Sequence, residues 1–380
     1  MLNMVNIAPL FSCVIPTKGR VTFLADLLAS LRSANKVKDT PLEIIVVDSS
    51  SPSDANAIES LCQQYNAIFI SGSPSVREKR NQGIRMAKGE FIFFIDSDCM
   101  ADKNLFEKHY VMLSQKDISA CIGVTKFVGV DSFLWHVITN TRFLDSFNFP
   151  VILRGKVESA PWGPTTNLSV KRDVVIQLDG FETNLPFNLG ADDADLGLRI
   201  NKAGYRIGMA DDAIVYHSKD TWNGWNKILR RVFRWGKMDY HLYYRRHVDK
   251  IALTMPKPVT VFLWTIILQF FFVMCSSWAA ILLLPFWPLF YLIIFSFIKK
   301  RHWKMSNVSI CVLICAEFIN QVFDFGCMLM ALRHACLDFF YKEPVDDPRA
   351  IWHIKMHSVW ASLISLFLII ILDCICLVFL

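Results

Sequence analysis

The chain has 380 residues, of which 53% are hydrophobic, and its formal net charge at pH 7 is +6. This length allows one large α/β domain and a second region. The mean hydropathy of +0.34 is too high for an ordinary soluble enzyme, and the excess of apolar residues is concentrated beyond residue 257.

The eleven cysteines are scattered and form no CxxC pair, so reduced thiols are predicted rather than disulfides or a zinc site. The N-terminal segment has no basic start followed by an apolar core, so no cleaved signal peptide is expected. Both observations predict that the first domain is cytosolic.

Residues 11–100 alternate apolar runs with helical patterns, which is typical of a parallel sheet with crossover helices. Strands are predicted at 11–15, 42–47, 67–70 and 91–95, and helices at 21–33, 54–65 and 76–87. The second strand ends at Asp48 and the fourth runs into Asp96 and Asp98. Side chains at the carboxyl ends of such strands face the crevice where open α/β sheets bind ligands.

Asp96 and Asp98 predict a site for a divalent cation that holds a diphosphate, because Mg²⁺ and Mn²⁺ prefer oxygen ligands and are usually shared with phosphates. The alternative is a solvated strand end, since Asp-x-Asp is common in turns. Beyond this pair, 101–115 is predicted to be helical, 118–130 strand-rich and 131–165 irregular. Residues 166–216 complete the domain, so the expected divisions are 1–220, 221–257 and 258–380.

No charged residue occurs from 258 to 298, a length that predicts two spanning helices at about 258–276 and 278–298. Basic residues at both ends place those ends in the cytoplasm. A further span is predicted at 358–380. The segment 306–332 is apolar but contains four polar or acidic residues, so it is interpreted either as a span with a polar stripe facing other helices or a lumen, or as a partly buried interfacial helix. About three to four membrane helices are therefore expected.

Arginine and lysine interleave with aromatic residues over 221–250, just before the first predicted span. This pattern suits the anionic headgroups of the inner leaflet. Nucleic-acid binding is the other interpretation, and the neighbouring membrane segment argues against it, so no nucleic-acid partner is expected.

Four clusters fall at strand ends or loops that face one crevice: the turn 16–20, Asp48, the segment 77–83 with Asp96 and Asp98, and the late segment 190–199. Their order and residues resemble the GT-A fold glycosyltransferases of family 2. The resemblance covers about residues 10–250 and rests on VIPTKGR at 14–20, VVDSSS at 46–51, KRNQGI at 79–84, the run from Gly89 to Asp98, and ADDADLGLR at 191–199. It implies a Rossmann-like, mostly parallel GT-A domain followed by transmembrane helices.

The resemblance also implies roles. Pro16, Thr17, Arg20, Asp48, Arg80 and Asp96 would bind the nucleotide-sugar donor. Asp98 would bind Mn²⁺ or Mg²⁺, with Asp96 and His217 as further candidates. Asp193 would be the general base, supported by Asp192 and Asp195, and Trp162 is a candidate for the acceptor site.

Each assignment has a structural alternative. Asp48 could cap a helix, the acids at 192–195 could favour a helix N-terminus, Arg80 could be solvated, and His217 and Trp162 could be packed structural residues. Two departures matter: Ser49 stands where many relatives carry a second Asp, which leaves base recognition open, and Asp192 replaces the usual Glu. The Gln of the processive-synthase motif is missing near 231–236.

The sequence therefore predicts a membrane-anchored inverting glycosyltransferase with its catalytic domain in the cytoplasm. Its acceptor is expected to be lipid-linked or a glycan, because the basic aromatic segment would hold the site near lipid. A processive polysaccharide synthase and a non-catalytic sugar-binding relative are the alternatives.

Overall fold

The computed structural model describes residues 8–34, 37–141, 143–185, 190–242, 251–253, 287–302, 305–336 and 342–344, with residue 339 and isolated positions between 259 and 270. These residues form two compact units, one within 1–130 and 144–222 and the other within 131–143 and 223–380. The first unit contains the predicted α/β domain.

An eight-stranded sheet forms the centre of the first unit, with the strand order β3-β2-β1-β4-β7-β6-β8-β5. Its strands are β1 (Phe11–Thr17), β2 (Glu43–Asp48), β3 (Ile68–Ser71), β4 (Phe91–Phe94), β5 (Cys99–Ala101), β6 (Ile118–Val128), β7 (Leu168–Lys171) and β8 (Arg206–Ser218). The pairings among β1 to β4 are parallel, as predicted. The sheet as a whole is mixed, because β7 pairs antiparallel with β4 and β6, and β5 pairs antiparallel with β8.

Helices cover both faces of this sheet. They are α1 (Val21–Ser33), α2 (Pro52–Gln64), α3 (Val76–Met86), α4 (Leu105–Leu113), and, after α5 of the second unit (Phe133–Ile138), α6 (Phe149–Ile152), α7 (Arg172–Gln177) and α8 (Asp192–Lys202). One core cluster joins α1, α2 and α4 to the sheet, and a second joins α3, α7 and α8 to its other face. The four described cysteines of this unit are free and buried, in agreement with the predicted reduced thiols.

Two of the predicted boundaries differ from the structure. The helix expected at 101–115 begins only at Leu105, because Cys99–Ala101 pairs as a strand with β8. The stretch 131–165, expected to be irregular, contains α5, α6 and a 3₁₀ turn at Asp145–Asn148. Short strands that pair with distant residues and helices of one or two turns leave little periodic pattern in the sequence. The strand Cys99–Ala101 and the short helices within 131–165 were not predicted for that reason.

The second unit contains α9 (Trp225–Asp239), α10 (Trp287–His302), α11 (Ile310–Arg333) and a two-stranded ribbon of β9 (Ile251–Leu253) and β10 (Lys342–Pro344). The helices α9 and α11 cross at two glycines. A Cβ on Gly236 would overlap the carbonyl oxygen of Phe323, and one on Gly326 would overlap that of Phe233. The backbones therefore approach as closely as small residues allow.

Among the described residues, α11 is the one helix that is long and apolar enough to cross a membrane, judged by length and composition alone. Three of the four polar side chains of the predicted stripe are buried, and Asp324 is partly exposed. Asn320 and Gln321 donate to the Glu317 carboxylate, and Lys299 of α10 lies 3.9 Å from it. This stripe thus faces another helix. The predicted span 358–380 and nearly all of 258–276 lie outside the described residues, and 278–298 is described only from 287, in a helix that continues to His302.

Candidate active site

The helix α3 carries four buried polar side chains toward the crevice. Arg77, Lys79, Arg80 and Asn81 are each no more than 8% exposed. Buried charges are costly unless they are paired, so their partners show what the helix organises. The helix itself sits tightly on the sheet, because a Cβ on Gly83 would overlap the side chain of Val14 in β1.

At the ends of β1 and β2, the predicted donor-binding residues come together. Thr17 pairs with Asp48 across the two strands, and Pro16 pairs with Val47. The Asp48 carboxylate accepts the backbone N–H of Ser50 at 2.9 Å. The Ser50 hydroxyl in turn accepts the N–H of Gly19 at 2.6 Å, which ties the turn after β1 to the end of β2. Asp48 is 2% exposed, so its carboxylate holds these two turns together from a buried position.

Lys79 is a residue of this corner to which the sequence analysis gave no role. Its ammonium donates to the carbonyl oxygen of Thr17 at 2.6 Å and to the hydroxyl of Ser49 at 3.1 Å. Burial lowers the pKa of Lys79 to about 8, and the nearby Asp48 carboxylate offsets part of that shift. A lysine on a polar helix normally indicates a solvated face, so the sequence offered no signal for it.

Arg80 links the two acidic pairs of the sequence. One terminal nitrogen pairs with Asp192 at the start of α8, and the other donates to Asp96 at 3.1 Å. The guanidinium also lies over the ring of Phe181, with its carbon 5.3 Å from the ring centre. Arg80 is therefore not a solvated helix residue; its described hydrogen bonds go to carboxylates on both sides of the crevice.

The sheet register places His217 beside Asp98. Cys99 of β5 pairs with His217 of β8, and the N–H of Ser218 donates to the carbonyl oxygen of Asp98 at 3.0 Å. As a result, His217 Nε2 lies 3.7 Å from Asp98 Oδ1, while Asp98 Oδ2 pairs with Arg20 at 2.8 Å. The structure thus brings together three of the predicted residues.

This arrangement fits a cation between Asp98 and His217. Within the described part of the chain, buried Asp98 Oδ1 has no hydrogen-bond partner. His217 Nδ1 lies 2.9 Å from the carbonyl oxygen of Ser218, and donating its proton there leaves the Nε2 lone pair toward Oδ1. Two acceptors that face each other favour a positive charge between them.

Two nearby residues are less suited to that cation. The Cys99 thiol lies within reach of Asp98 and His217, but burial raises its pKa well above the usual value, so the sulfur stays protonated. Asp96, one of the predicted candidates, directs a carboxylate oxygen to Arg80. Asp98 and His217 are thus the residues of this group best placed to hold Mn²⁺ or Mg²⁺.

On the other side of the crevice, α8 begins after two residues in the left-handed region, Gly190 and Ala191. Arg77 donates to the carbonyl oxygen of Gly190 at 3.0 Å and so fixes this turn. One turn into the helix, buried Asp195 accepts from Arg199 at 2.8 Å. Arg199 also donates to the carbonyl oxygens of Leu178 and Gly180. Asp195 thus holds Arg199 in place within the helix, and Arg199 ties α8 to the preceding loop.

Asp193 lies in the first turn of α8 and is partly exposed. Burial and, to a smaller extent, the neighbouring Asp192 carboxylate raise the pKa of Asp193 to about 7, and the positive charge of Arg80 opposes this shift. A carboxylate with a pKa near 7 can accept a proton efficiently at neutral pH. Asp193 therefore has the protonation behaviour that a general base requires.

Trp162 packs against the same helix. A Cβ on Gly197 would overlap the Trp162 backbone and Cβ, and Gly197 lies one helical turn beyond Asp193. The Trp162 ring is partly exposed and meets Phe149 edge-on at 5.4 Å. This candidate acceptor residue is thus packed against α8, one helical turn beyond Asp193.

Residues 12–178 match the family model described as glycosyl transferase family 2. Residues 12–178 thus carry a glycosyl transferase family 2 domain. The α/β fold around this domain follows the predicted order of elements. The match confirms the predicted enzyme class, a glycosyltransferase, and the mixed sheet confirms the predicted α/β fold of the first domain.

The similarity to curated proteins covers more of the chain than this segment. The glycosyltransferase AglE of Haloferax volcanii is 22% identical over 261 residues, which cover 66% of this chain and 78% of AglE. The uncharacterized glycosyltransferase YfnE of Bacillus subtilis is 26% identical over 50% of this chain and 60% of its own length. The O-antigen chain rhamnosyltransferase WbaN of Salmonella anatum is 26% identical over 55% of this chain and 66% of WbaN.

Among solved structures, the mannosyltransferase PcManGT of Pyrobaculum calidifontis, determined with GDP-Man and Mn²⁺, aligns with a TM-score of 0.49 and 14% identity. The alignment covers 95% of this chain and 88% of that one. TarS of S. aureus (residues 1–349) aligns with a TM-score of 0.39 and 19% identity over 61% of this chain and 66% of TarS.

Proposed function

We propose that this family 2 glycosyltransferase moves a sugar, with inversion, from a nucleoside-diphosphate sugar to a hydroxyl or phosphate of a lipid-linked acceptor at the cytoplasmic membrane face. The observation that carries the proposal is the two-sided crevice. Asp98 and His217 lie together on one side, Asp193 lies in the first turn of α8 on the other, and Arg80 pairs with carboxylates from both sides. Inversion needs a base opposite the leaving group, and the two groups here come from separate segments.

The base acts on the acceptor. Ionised Asp193 takes the proton from the acceptor hydroxyl as that oxygen attacks the anomeric carbon, and the nucleoside diphosphate leaves with the electrons of the broken bond. Its pKa of about 7 supports this role. Asp192, paired with Arg80, and Asp195, paired with Arg199, keep the start of α8 in place.

Asp98 Oδ1 and His217 Nε2 would hold Mn²⁺ or Mg²⁺, and the bound cation would neutralise the negative charge that develops on the leaving diphosphate. Arg20, which pairs with Asp98, adds a second positive charge at that point. The turn from Pro16 to Arg20 and the corner of Thr17 and Asp48 would bind the nucleoside, and Asp96 would lie near the sugar.

The second unit supports the proposed membrane location. On α9, Lys227, Arg230 and Arg234 are exposed and recur at helical spacing, while Ile228 and Val232 are buried. A basic helix of this kind suits anionic headgroups, and α11 has the length and composition of a span. The domain division at 1–220, 221–257 and 258–380 belongs to this proposal.

The donor is tested by incubating the full-length protein, in detergent with a lipid extract, with UDP-, dTDP-, GDP-, ADP- and CMP-sugars, with Mn²⁺ or with EDTA. Release of a nucleotide that requires both the cation and Asp193 is expected. A protein that releases none in any mixture would instead be a non-catalytic relative.

The acceptor is tested by comparing soluble sugars with lipid-linked ones and resolving the products on a gel. One added sugar on a lipid-linked acceptor is expected. A ladder of long chains would identify a processive synthase, and equal use of soluble acceptors would refute the lipid-linked assignment.

A further inference from the structure

Lys79 brings a buried positive charge to the carboxyl ends of β1 and β2. It is 4% exposed, and its stem packs beside Gly72, where an added Cβ would lie 3.2 Å from Lys79 Cγ. This packing and the bond to the Thr17 carbonyl oxygen fix the ammonium where the proposed nucleoside site begins. Because burying an ammonium is costly, a residue kept here needs a partner or a task.

The hydrogen bonds of Lys79 leave donors unused. An ammonium has three N–H groups, and the described residues accept two of them, at Thr17 and Ser49. The Ser49 hydroxyl accepts from Lys79, so its own proton remains available to a ligand. The corner therefore offers an N–H and an O–H, and the neighbouring Asp48 carboxylate is engaged by Ser50.

We propose that Lys79 and Ser49 select the base of the donor nucleotide by donating hydrogen bonds to a carbonyl oxygen on its edge. The donor would then carry a 4-keto pyrimidine or a 6-keto purine, that is uracil, thymine or guanine. Cytosine and adenine present an amino group at the equivalent position and would place donor against donor. This inference rests on the proposed function and names the substrate class of the same site.

A phosphate oxygen could accept the same two hydrogen bonds, and the strand order separates the two possibilities. Ser49 follows β2 and Asp98 follows β4, with β1 between them. Neighbouring strands lie about 4.8 Å apart, so these residues follow strands about 10 Å apart. A diphosphate held at Asp98 therefore leaves the Lys79 corner to the other end of the nucleotide.

The charges around Lys79 agree with a role that needs the ammonium form. Asp48 favours that form, whereas burial and the cations Lys18, Arg80 and Arg20 oppose it, and the balance lowers the pKa of Lys79 to about 8. The side chain is therefore mainly charged at pH 7 and loses its charge above about pH 8.

The test measures equilibrium binding to the full-length protein in detergent with Mn²⁺, using UDP, dTDP, GDP, CDP, ADP and inorganic diphosphate. We expect the wild type to bind the three keto nucleotides at least about tenfold more tightly than CDP and ADP. Lys79→Met should weaken binding of the keto nucleotides by about tenfold or more, because it removes a hydrogen bond from a charged donor to the base. Binding of inorganic diphosphate should be nearly unchanged. Ser49→Ala should give a smaller loss in the same direction.

Lys88→Met is the matched control, since Lys88 is exposed just after the same helix, and it should bind all ligands like the wild type. Thermal unfolding without ligand checks that each variant is folded. If Lys79→Met does not fold, Ser49→Asp is the substitute variant. The new carboxylate would accept the remaining N–H of Lys79, so the affinity for keto nucleotides should fall while the affinity for inorganic diphosphate stays the same.

Equal losses for inorganic diphosphate and the keto nucleotides would show that Lys79 reads phosphate and would overturn the inference. Folded Lys79 and Ser49 variants that keep the wild-type preference would also overturn it, with nucleotide binding and the proposed function intact. A wild type that binds no nucleotide at all would instead refute the proposed function, and the inference with it.

Discussion

The two sides of the crevice are held in place by different kinds of contact. On the proposed donor side, backbone pairing between β5 and β8 fixes Asp98 next to His217. On the proposed acceptor side, side chains hold the start of α8: Arg77 donates to Gly190, and Arg80 pairs with Asp192. Strand register sets a ligand spacing that single substitutions scarcely alter, whereas a helix start held by side chains can be displaced one contact at a time. The four predictions below test this difference.

The largest effect is expected from Asp193→Asn, which removes the proposed base and leaves the proposed donor-binding residues intact. The turnover number should fall by about 10² to 10⁴, the range for a lost general base, while nucleotide affinity stays the same. Steady-state rates and equilibrium nucleotide binding together check this. Asp173→Asn, an exposed first-turn acid of α7, is the control. An active Asp193→Asn enzyme would mean that another group takes the proton.

The next effect concerns the cation. Asp98→Ala and His217→Ala should each weaken Mn²⁺ binding by about tenfold or more, because each removes one ligand atom from a site fixed by strand pairing. Titration followed by electron paramagnetic resonance measures this without any turnover. His136→Ala, an exposed histidine of α5, should bind Mn²⁺ like the wild type. If His217→Ala binds Mn²⁺ as tightly as the wild type, His217 is a packed structural residue and not a metal ligand.

A moderate effect is expected on the pH profile. The pKa of Asp193 is raised to about 7, and the base acts when ionised, so kcat should fall as the pH drops through about 7. Arg80 favours the ionised form, and Arg80→Lys keeps a charge but loses the two-pronged contact to Asp96 and Asp192. The midpoint should therefore move to higher pH. Arg85→Lys, at an exposed position of the same helix, should not change this midpoint. An unchanged midpoint in Arg80→Lys would show that Arg80 does not influence the protonation of Asp193.

The smallest effect is expected from Gly197→Ala, which pushes on Trp162 without touching a charged group. The KM for the acceptor should rise a few-fold, since relief of the overlap requires the Trp162 backbone to move. The KM for the donor should not change. Trp225→Phe, a change at an exposed tryptophan of α9, serves as a control for the loss of an indole ring. A Gly197→Ala enzyme with a raised donor KM would show that the two sides are not independent.

The sequence was sufficient for the first half of the sheet. Each strand from β1 to β4 is a short apolar run followed by polar residues, and each intervening helix has regular apolar spacing. The carboxylates Asp48, Asp96 and Asp98 could be placed at strand ends for the same reason. The antiparallel β5 and β7 could not, since three- and four-residue strands are defined by partners distant in the chain.

Site residues could be predicted from the sequence where they stand at the end of a strand or in a family motif. Residues whose role depends on buried contacts with distant parts of the chain could not be predicted. His217 stayed open between two roles until the register with Cys99 placed it beside Asp98. Arg77 and Lys79 look like surface residues of a polar helix, because no local pattern shows that carbonyl oxygens of distant turns surround them. The predictions for Asp193 and Asp98 rest on the family resemblance, and the geometry adds the raised pKa and the open carboxylate oxygen.

The glycine contact between α9 and α11 determines how the basic helix would meet a lipid surface. A helix that only floats in the headgroup layer can roll about its own axis as the lipids change. Here Gly236 and Gly326 lock the roll of α9 to α11, so Lys227, Arg230 and Arg234 keep one heading relative to that helix. Lipid composition would then change how strongly this surface is held, and not which side chains it presents.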